Sequence, residues 1–231
     1  MSIIAFYNLK GGVGKTASAV NLAYLYSQSG QRTLLWDLDP QGASSWYLDY
    51  DTEKKFNSKK LIGGKLVLKD LVKKTRYKKL HLIPAKVSSR NFDVLINQQS
   101  SNDQLLYDLI YPFTEHYPVI ILDCPPSLSY LTENIFYAAD LLAMPMLPTW
   151  LSLRTYEQVN HFLKKNGYSR KKLMPFFSMV DRRKKLHSDW LFNQPQEIKR
   201  MFNSYIPYAS IVEKMGAYRA PIQEYAPRTP V

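Results

Sequence analysis

The sequence holds a single cysteine, Cys124, so no disulfide can close within the chain, which agrees with a reducing compartment. Its four histidines, His81, His116, His161 and His187, are scattered without the spacing of metal-ligand pairs, and nothing in them points to zinc. No run approaches the roughly 18 consecutive apolar residues that span a bilayer. The short apolar start from Ser2 to Tyr7 leads into a glycine turn instead of a cleavage site. No internal repeat or coiled-coil heptad stands out. Acidic residues are scarce beside basic ones, 19 against 31, which leaves a formal charge of +12. Such an excess favours a polyanionic partner such as DNA, and it serves equally for solubility or for attraction to anionic lipid.

What is present is a chain of 231 residues, 45% of them hydrophobic, long enough to bury one substantial core. The expectation is one soluble, cytoplasmic domain covering residues 1–231. Ile3-Ile4-Ala5-Phe6-Tyr7 is a β-prone run that stops at Asn8 and glycine. From Thr16 to Ser29 apolar residues recur at helical spacing, and Gly30 supplies a stop. Thr33 to Trp36 is a second strand candidate ending at the acidic pair Asp37 and Asp39, so strand, loop, helix and strand follow within some forty residues as a βαβ unit would. Further strands are expected at Leu80 to Ile83, Val119 to Leu122, Leu141 to Leu147 and Leu173 to Val180. The all-apolar Val119-Ile120-Ile121-Leu122 suits a parallel sheet covered on both faces. Helices are expected within Arg90 to Phe113, with Leu95, Leu105, Leu106, Leu109 and Ile110 toward the core, and from Leu153 to Asn166. Residues 51 to 79 carry eleven basic side chains and read as a surface excursion with a short helix around Leu66 to Val72. The order after Pro207 is hard to read. The fold class that follows is α/β, with a twisted, mainly parallel sheet flanked by helices.

Between the first strand and the first helix lies Lys10-Gly11-Gly12-Val13-Gly14-Lys15-Thr16. Glycines let a backbone curl and turn its N–H groups toward phosphate oxygens, and the helix that follows presents its positive end to the same charge. In such a loop Lys15 bridges phosphate oxygens and the Thr16 hydroxyl reaches Mg²⁺.

Lys10 adds specificity. The pattern KGGVGKT at residues 10 to 16 resembles the deviant Walker A motif of the ParA/MinD/Soj family. Leu35-Trp36-Asp37-Leu38-Asp39-Pro40-Gln41-Gly42 is similar to that family's switch I, and Ile120-Ile121-Leu122-Asp123-Cys124-Pro125-Pro126 to its Walker B and switch II. The resemblance implies a P-loop NTPase that binds ATP and Mg²⁺ and hydrolyses ATP slowly, under the control of a partner. It also implies a role for each matching position. Lys10 reaches the nucleotide of a second subunit, so that ATP joins two protomers. Lys10 to Thr16, with Ala17, cradle the phosphates, and Asp39 orients the attacking water. Thr16, Asp37 and Asp123 serve the metal, with Asp37 supporting that site or the switch, and Asn21 supports the geometry. Asp181, Arg182 and Pro207 frame the adenine, although an exposed loop is an alternative for Asp181 and Arg182 and a purely structural role is an alternative for Pro207. Ala17 departs from the family pattern, which often has a second threonine there.

The output implied is that of a ParA-like ATPase: an ATP-dependent homodimer that binds DNA non-specifically, associates with the nucleoid, and partitions or positions DNA or another cargo through a cargo-linked activating protein. A second basic region, Lys164, Lys165, Arg170, Lys171, Lys172, Arg182, Arg183, Lys184, Lys185, Lys199 and Arg200, offers phosphate contacts or simply a solvated face. A MinD-like membrane switch is a competing output. The C-terminal Glu224-Tyr225-Ala226-Pro227-Arg228-Thr229-Pro230-Val231 carries two prolines, and no amphipathic basic helix is expected there. A nucleotide-dependent regulatory scaffold with little turnover is a third.

Overall fold

The computed structural model describes residues 2–50, 68–85 and 103–229. Five residues of alternating direction, Ser2–Phe6, form β1, and Lys15–Gln28 form α1. They are followed by β2 (Thr33–Asp37), a five-residue helix α2 (Ala43–Tyr47), a 3₁₀ turn at Leu68–Leu71, β3 (Lys73–Lys74) and β4 (Leu80–Ile83). Then come α3 (Leu105–Ile110), β5 (Val119–Asp123), α4 (Tyr130–Ala138), β6 (Leu141–Met146), α5 (Trp150–Lys165), β7 (Leu173–Phe177) and α6 (Lys185–Phe192). Three single-turn helices, α7 (Ser210–Glu213), α8 (Met215–Tyr218) and α9 (Ile222–Tyr225), finish the described chain.

The strands form one sheet in the order β3-β4-β2-β5-β1-β6-β7. Every neighbouring pair is parallel except β3 with β4. The expected α/β class with a mainly parallel sheet is therefore what is found, and the antiparallel edge is an addition to it. Two lysines have poor β-propensity and no apolar alternation, which is why β3 left no mark in the sequence. Their charge blunts the sheet's edge against pairing with another chain.

Period-two alternation distributes β1 between two cores. Ile3, Ala5 and Tyr7 face a layer built from α3, α4 and α5, in which Leu106, Ile110, Leu131, Phe136, Val159 and Leu163 are buried. Ile4 and Phe6 face the opposite layer, where Ala19, Val20, Ala23 and Tyr24 of α1 meet Met215 and Ile222 from the C-terminal segment. The central strands β2 and β5 are buried at all five positions each, as a sheet covered on both faces requires. Pro145 is tolerated inside β6 because pairing with β1 stops at Ala143, so its missing N–H interrupts no ladder on that side.

The expected strand at Leu173 to Val180 ends at Phe177, and the chain turns at Met179 with φ 55°. The expected helix near Leu66 to Val72 is the 3₁₀ turn at Leu68–Leu71, and within Arg90 to Phe113 the described helix is Leu105–Ile110. Leu95, the polar stretch from Asn97 to Asn102, the lysines between 51 and 67, and Pro230 with Val231 lie outside the described residues.

Candidate functional site

Because the six longer strands run parallel, the loops that leave their C-terminal ends gather at one edge of the sheet. The register puts Phe6, Asp37 and Asp123 level with one another on β1, β2 and β5. The first strand therefore hands its chain into the glycine loop directly beside two carboxylates, one from each of the next two strands across the sheet.

The loop is tied down at its start. Asn8, with none of its surface exposed, donates from Nδ2 to the Pro145 carbonyl at 2.7 Å and accepts the Lys10 backbone N–H at 2.9 Å. Gly12 and Gly14 take left-handed backbone angles, φ 71° and 93°. A Cβ built on Gly14 would meet Ser178 Oγ at 2.9 Å, so only glycine lets the loop approach the end of β7 this closely. Gly11 and Gly12 face open space. Lys15 opens α1 with 6% of its surface exposed, and its Nζ donates to the Lys10 carbonyl at 2.9 Å, folding the loop around the ammonium. Burial holds that ammonium below the usual lysine range, against the opposing pull of Asp123, Cys124 and Asp39.

Asp37 and Asp123 are fully buried. Asp37 Oδ2 accepts two bonds from Ser45, from the backbone N–H at 2.8 Å and from Oγ at 2.7 Å, while Asp123 Oδ2 accepts Ser44 Oγ at 2.7 Å. Burial raises both carboxyls above the usual range. For Asp37 the charge of Asp123 adds to this, whereas the Ser44 and Thr16 hydroxyls draw Asp123 back. Two carboxylates at this depth call for a cation before both can ionise. Asp39 is half-buried; its Oδ1 accepts the Gln41 N–H at 2.9 Å, and its charge is felt at Lys15, Asp37 and Asp123.

The glycine loop opens onto a cavity of about 750 Å³. Gly11, Gly12, Gly14, Lys15, Thr16, Ala17, Asp39 and Pro207 line it, together with Ser178, Met179 and Tyr208. Val13 is buried beneath the loop. Pro207 is placed by a parallel bridge to Val180, with the Tyr208 N–H donating to the Val180 carbonyl at 2.9 Å. Asp181 and Arg182 stand outside the cavity wall: the Asp181 carboxylate folds back on Arg183, accepting Nε at 2.8 Å and Nη2 at 2.9 Å, and Arg182 is exposed. The chain reverses at Met179, so the wall is made by Ser178 and Met179 before the acidic residue is reached. Asn21 lines the cavity too: its Nδ2 donates to the Ala17 carbonyl at 2.8 Å and reaches Met215 Sδ at 3.3 Å, and its Oδ1 accepts the Ile222 N–H at 2.9 Å, which ties the start of α1 to the C-terminal segment.

The donor set fits a magnesium nucleotide. Carboxylate and hydroxyl oxygens are hard ligands. Among the described residues no group of three or more His, Cys, Asp or Glu side chains can hold a metal by itself. A Mg²⁺ here would therefore depend on water and on nucleotide phosphates for most of its shell.

The family described as an AAA domain matches residues 1–174. Over 161 residues the chain is 34% identical to the chromosome partitioning protein ParA of Myxococcus xanthus, covering 69% of this chain and 56% of that protein. It is 29% identical to the chromosome-partitioning ATPase Soj of Treponema pallidum, over 96% of this chain and 89% of the relative. The chain belongs to the ParA/MinD/Soj family of deviant Walker A P-loop ATPases. It spans about half the length of the first curated relatives it matches, 48% and 56%. An ATP complex of Cyanothece McdA shares the fold with a TM-score of 0.84 and 20% identity, over 98% of this chain and 90% of that one.

Sequence reasoning passed over Asn8, Ser44 and Ser45, whose partners lie 137, 79 and 8 residues away. Packing between distant strands brings Asn8 and Ser44 to their partners, and the short connection from β2 into α2 brings Ser45 back to Asp37.

Proposed function

We propose that this chain is a single-domain, cytoplasmic and nucleoid-associated ATPase that uses Mg²⁺ and ATP to switch between monomer and DNA-bound dimer, and so partitions or positions DNA or another cargo. The observation that carries the reading is the cradle itself: left-handed glycines and a buried lysine opening into a cavity of about 750 Å³, with two buried carboxylates level with the end of β1 on the neighbouring strands. Gly11 to Ala17 hold the phosphates, and Lys15 meets their charge. Thr16 and Asp123 take the metal side, with Asp37 supporting them. Pro207 and Met179 frame the base, and Asp181 and Arg182 stand at the rim. Bound Mg²⁺ would offset the negative charge of the phosphates. Asp39 orients a water for direct attack on the terminal phosphorus; the bond to ADP breaks as the bond to water's oxygen forms, and no protein nucleophile is needed.

Lys10 has its backbone fixed at both ends, by Asn8 and by Lys15, while its side chain makes no ion pair among the described residues. It is suited to reach a second protomer's nucleotide. After β5 and β6, the strands that flank β1, large apolar side chains stand in solvent at the same edge of the sheet: Leu128 at 42%, Tyr130 at 46%, Leu151 at 61% and Trp150 at 65% exposure. Exposed apolar side chains on both sides of the β1 loop support a dimer face. For DNA, Lys164, Lys165, Arg170, Lys171, Lys199 and Arg200 are exposed, and Arg200 Nη1 donates to the Lys171 carbonyl at 3.2 Å, which joins two of the basic segments. Lys172 is otherwise engaged, capping the end of α4 through the Phe136 and Tyr137 carbonyls at 3.2 and 3.0 Å.

DNA binding and sedimentation under ADP, ATP and a non-hydrolysable ATP analogue test the reading together. The analogue with Mg²⁺ should give a dimer that binds DNA of any sequence, ADP should give neither, and Lys10→Ala should weaken the dimer. Equal DNA binding under all three nucleotides would remove the switch.

A further inference from the structure

The helix α2 spends each of three consecutive side chains in a different direction. Neighbouring helical residues diverge by about 100°, and Asp37 and Asp123 sit level on adjacent strands about 4.8 Å apart. Lying over that seam, α2 sends Ser44 to Asp123 and Ser45 to Asp37. The Ser45 hydroxyl also accepts the Ala85 N–H at 3.1 Å, so its single proton is committed to the carboxylate. Trp46 points away from the seam. Its Nε1 donates to the Gly216 carbonyl at 3.1 Å, and the Arg219 guanidinium lies over the indole at 4.0 Å. Three residues further on, Asp49 pairs with Arg219 at 3.0 Å and with Arg76 at 3.5 Å, and Arg76 Nη2 donates to the Arg219 carbonyl at 2.7 Å. The segment so clasped continues into Ile222, which lines the cavity.

We infer that Ser44 and Ser45 are positioning residues for the two buried carboxylates, and that α2 relays the state of that pair to the Trp46–Arg219 clasp on the C-terminal segment. The inference rests on the reading of Asp37 and Asp123 as the metal side of a nucleotide site. Its direction follows from relative strengths. The two serine bonds are fully buried at 2.7 Å each, whereas the clasp is made of more exposed side chains, Asp49 and Arg76 at 45% each and Arg219 at 23%. Were the carboxylates to change position on taking a metal, Ser44 and Ser45 would carry α2 with them and the weaker clasp would yield.

The test is ¹⁹F NMR on the full chain labelled with 5-fluorotryptophan. Its four tryptophans give four lines, and Trp46→Phe assigns the one that matters. Adding Mg²⁺ to protein saturated with ADP in EDTA should shift the Trp46 line and leave that of buried Trp36 in place. In Ser44→Ala and Ser45→Ala the gain in ADP affinity on adding Mg²⁺ should fall by about 10- to 100-fold, the range for removing a partner of a metal ligand, and the Trp46 shift should vanish. Ser44→Thr and Ser45→Thr, which keep the hydroxyl, should restore both. A Trp46 line indifferent to Mg²⁺ in the ADP-saturated wild type overturns the relay without recourse to any variant, and alanine variants that keep the full Mg²⁺ gain overturn the positioning role. A chain that takes up no ADP in either condition defeats the nucleotide reading itself, which separates the two failures.

Discussion

Lys15 is the residue whose placement is hardest to explain without a ligand. A buried ammonium held by one carbonyl, with carboxylates nearby, is costly unless an anion comes to it. Asp39 has the opposite character, half-exposed, with its Oδ1 accepting the Gln41 N–H. Asp39→Ala should therefore leave ATP affinity within a few-fold and reduce turnover about 100-fold or more, the scale of losing an orienting group in phosphoryl transfer. Steady-state phosphate release beside equilibrium nucleotide binding checks it, and wild-type turnover would remove the assigned role. Gly14→Ala forces a left-handed residue, at a cost of about 1–2 kcal/mol, before the clash with Ser178 is relieved. Urea unfolding should show at least that loss, together with weakened nucleotide binding.

At the scale of elements, legibility followed burial. The strands β1, β2, β4 and β5 were readable because apolar runs bounded by glycine, aspartate or proline have few other uses. Helix α2 was not, since Ala43-Ser44-Ser45-Trp46-Tyr47 has no apolar period and is held by polar bonds to residues far off in sequence. The single-turn helices α7 to α9 escaped for the same reason, being stabilised by packing against α1 and not by their own propensity. Sequence shows the acidic residue Asp181 after β7 but not the reversal at Met179 that precedes it. The loop it starts depends on α6: His187, 3% exposed, accepts the Asp181 N–H at Nδ1 over 3.0 Å and must be neutral to do so. Burial, with the nearby charge of Lys184, holds it below the ordinary histidine value, while Asp181 pulls the other way. The unfolded chain then binds more protons below about pH 6.5, so this residue lowers stability as pH falls from about 7 to about 5. His187→Gln should flatten that part of the pH dependence of the urea midpoint, and an unchanged difference between about pH 7.5 and about pH 5.5 would count against it.

Across the whole molecule, the proposed nucleotide site at the sheet's C-terminal edge and the basic surface proposed for DNA are built from different segments. The double charge reversal Lys171→Glu with Arg200→Glu should weaken binding to every DNA sequence about equally and lower the salt slope by about one for each phosphate no longer engaged, leaving nucleotide binding intact. Filter binding or anisotropy across a salt series reads both quantities. The distribution of charge was visible in the sequence as clusters, yet which of them share a face was not, because Arg200 and Lys171 meet only through the packing that brings residue 200 back beside residue 171.

All of these roles depend on a nucleotide entering between β1 and α1. Calorimetric titration of the folded chain with ATP in Mg²⁺ reads that entry directly. Saturable uptake of one ATP per chain, abolished in a folded Lys15→Ala variant, is the expected result. Heat no greater than dilution from a correctly folded wild type, or undiminished uptake by Lys15→Ala, would refute the assignment of this loop as a phosphate cradle.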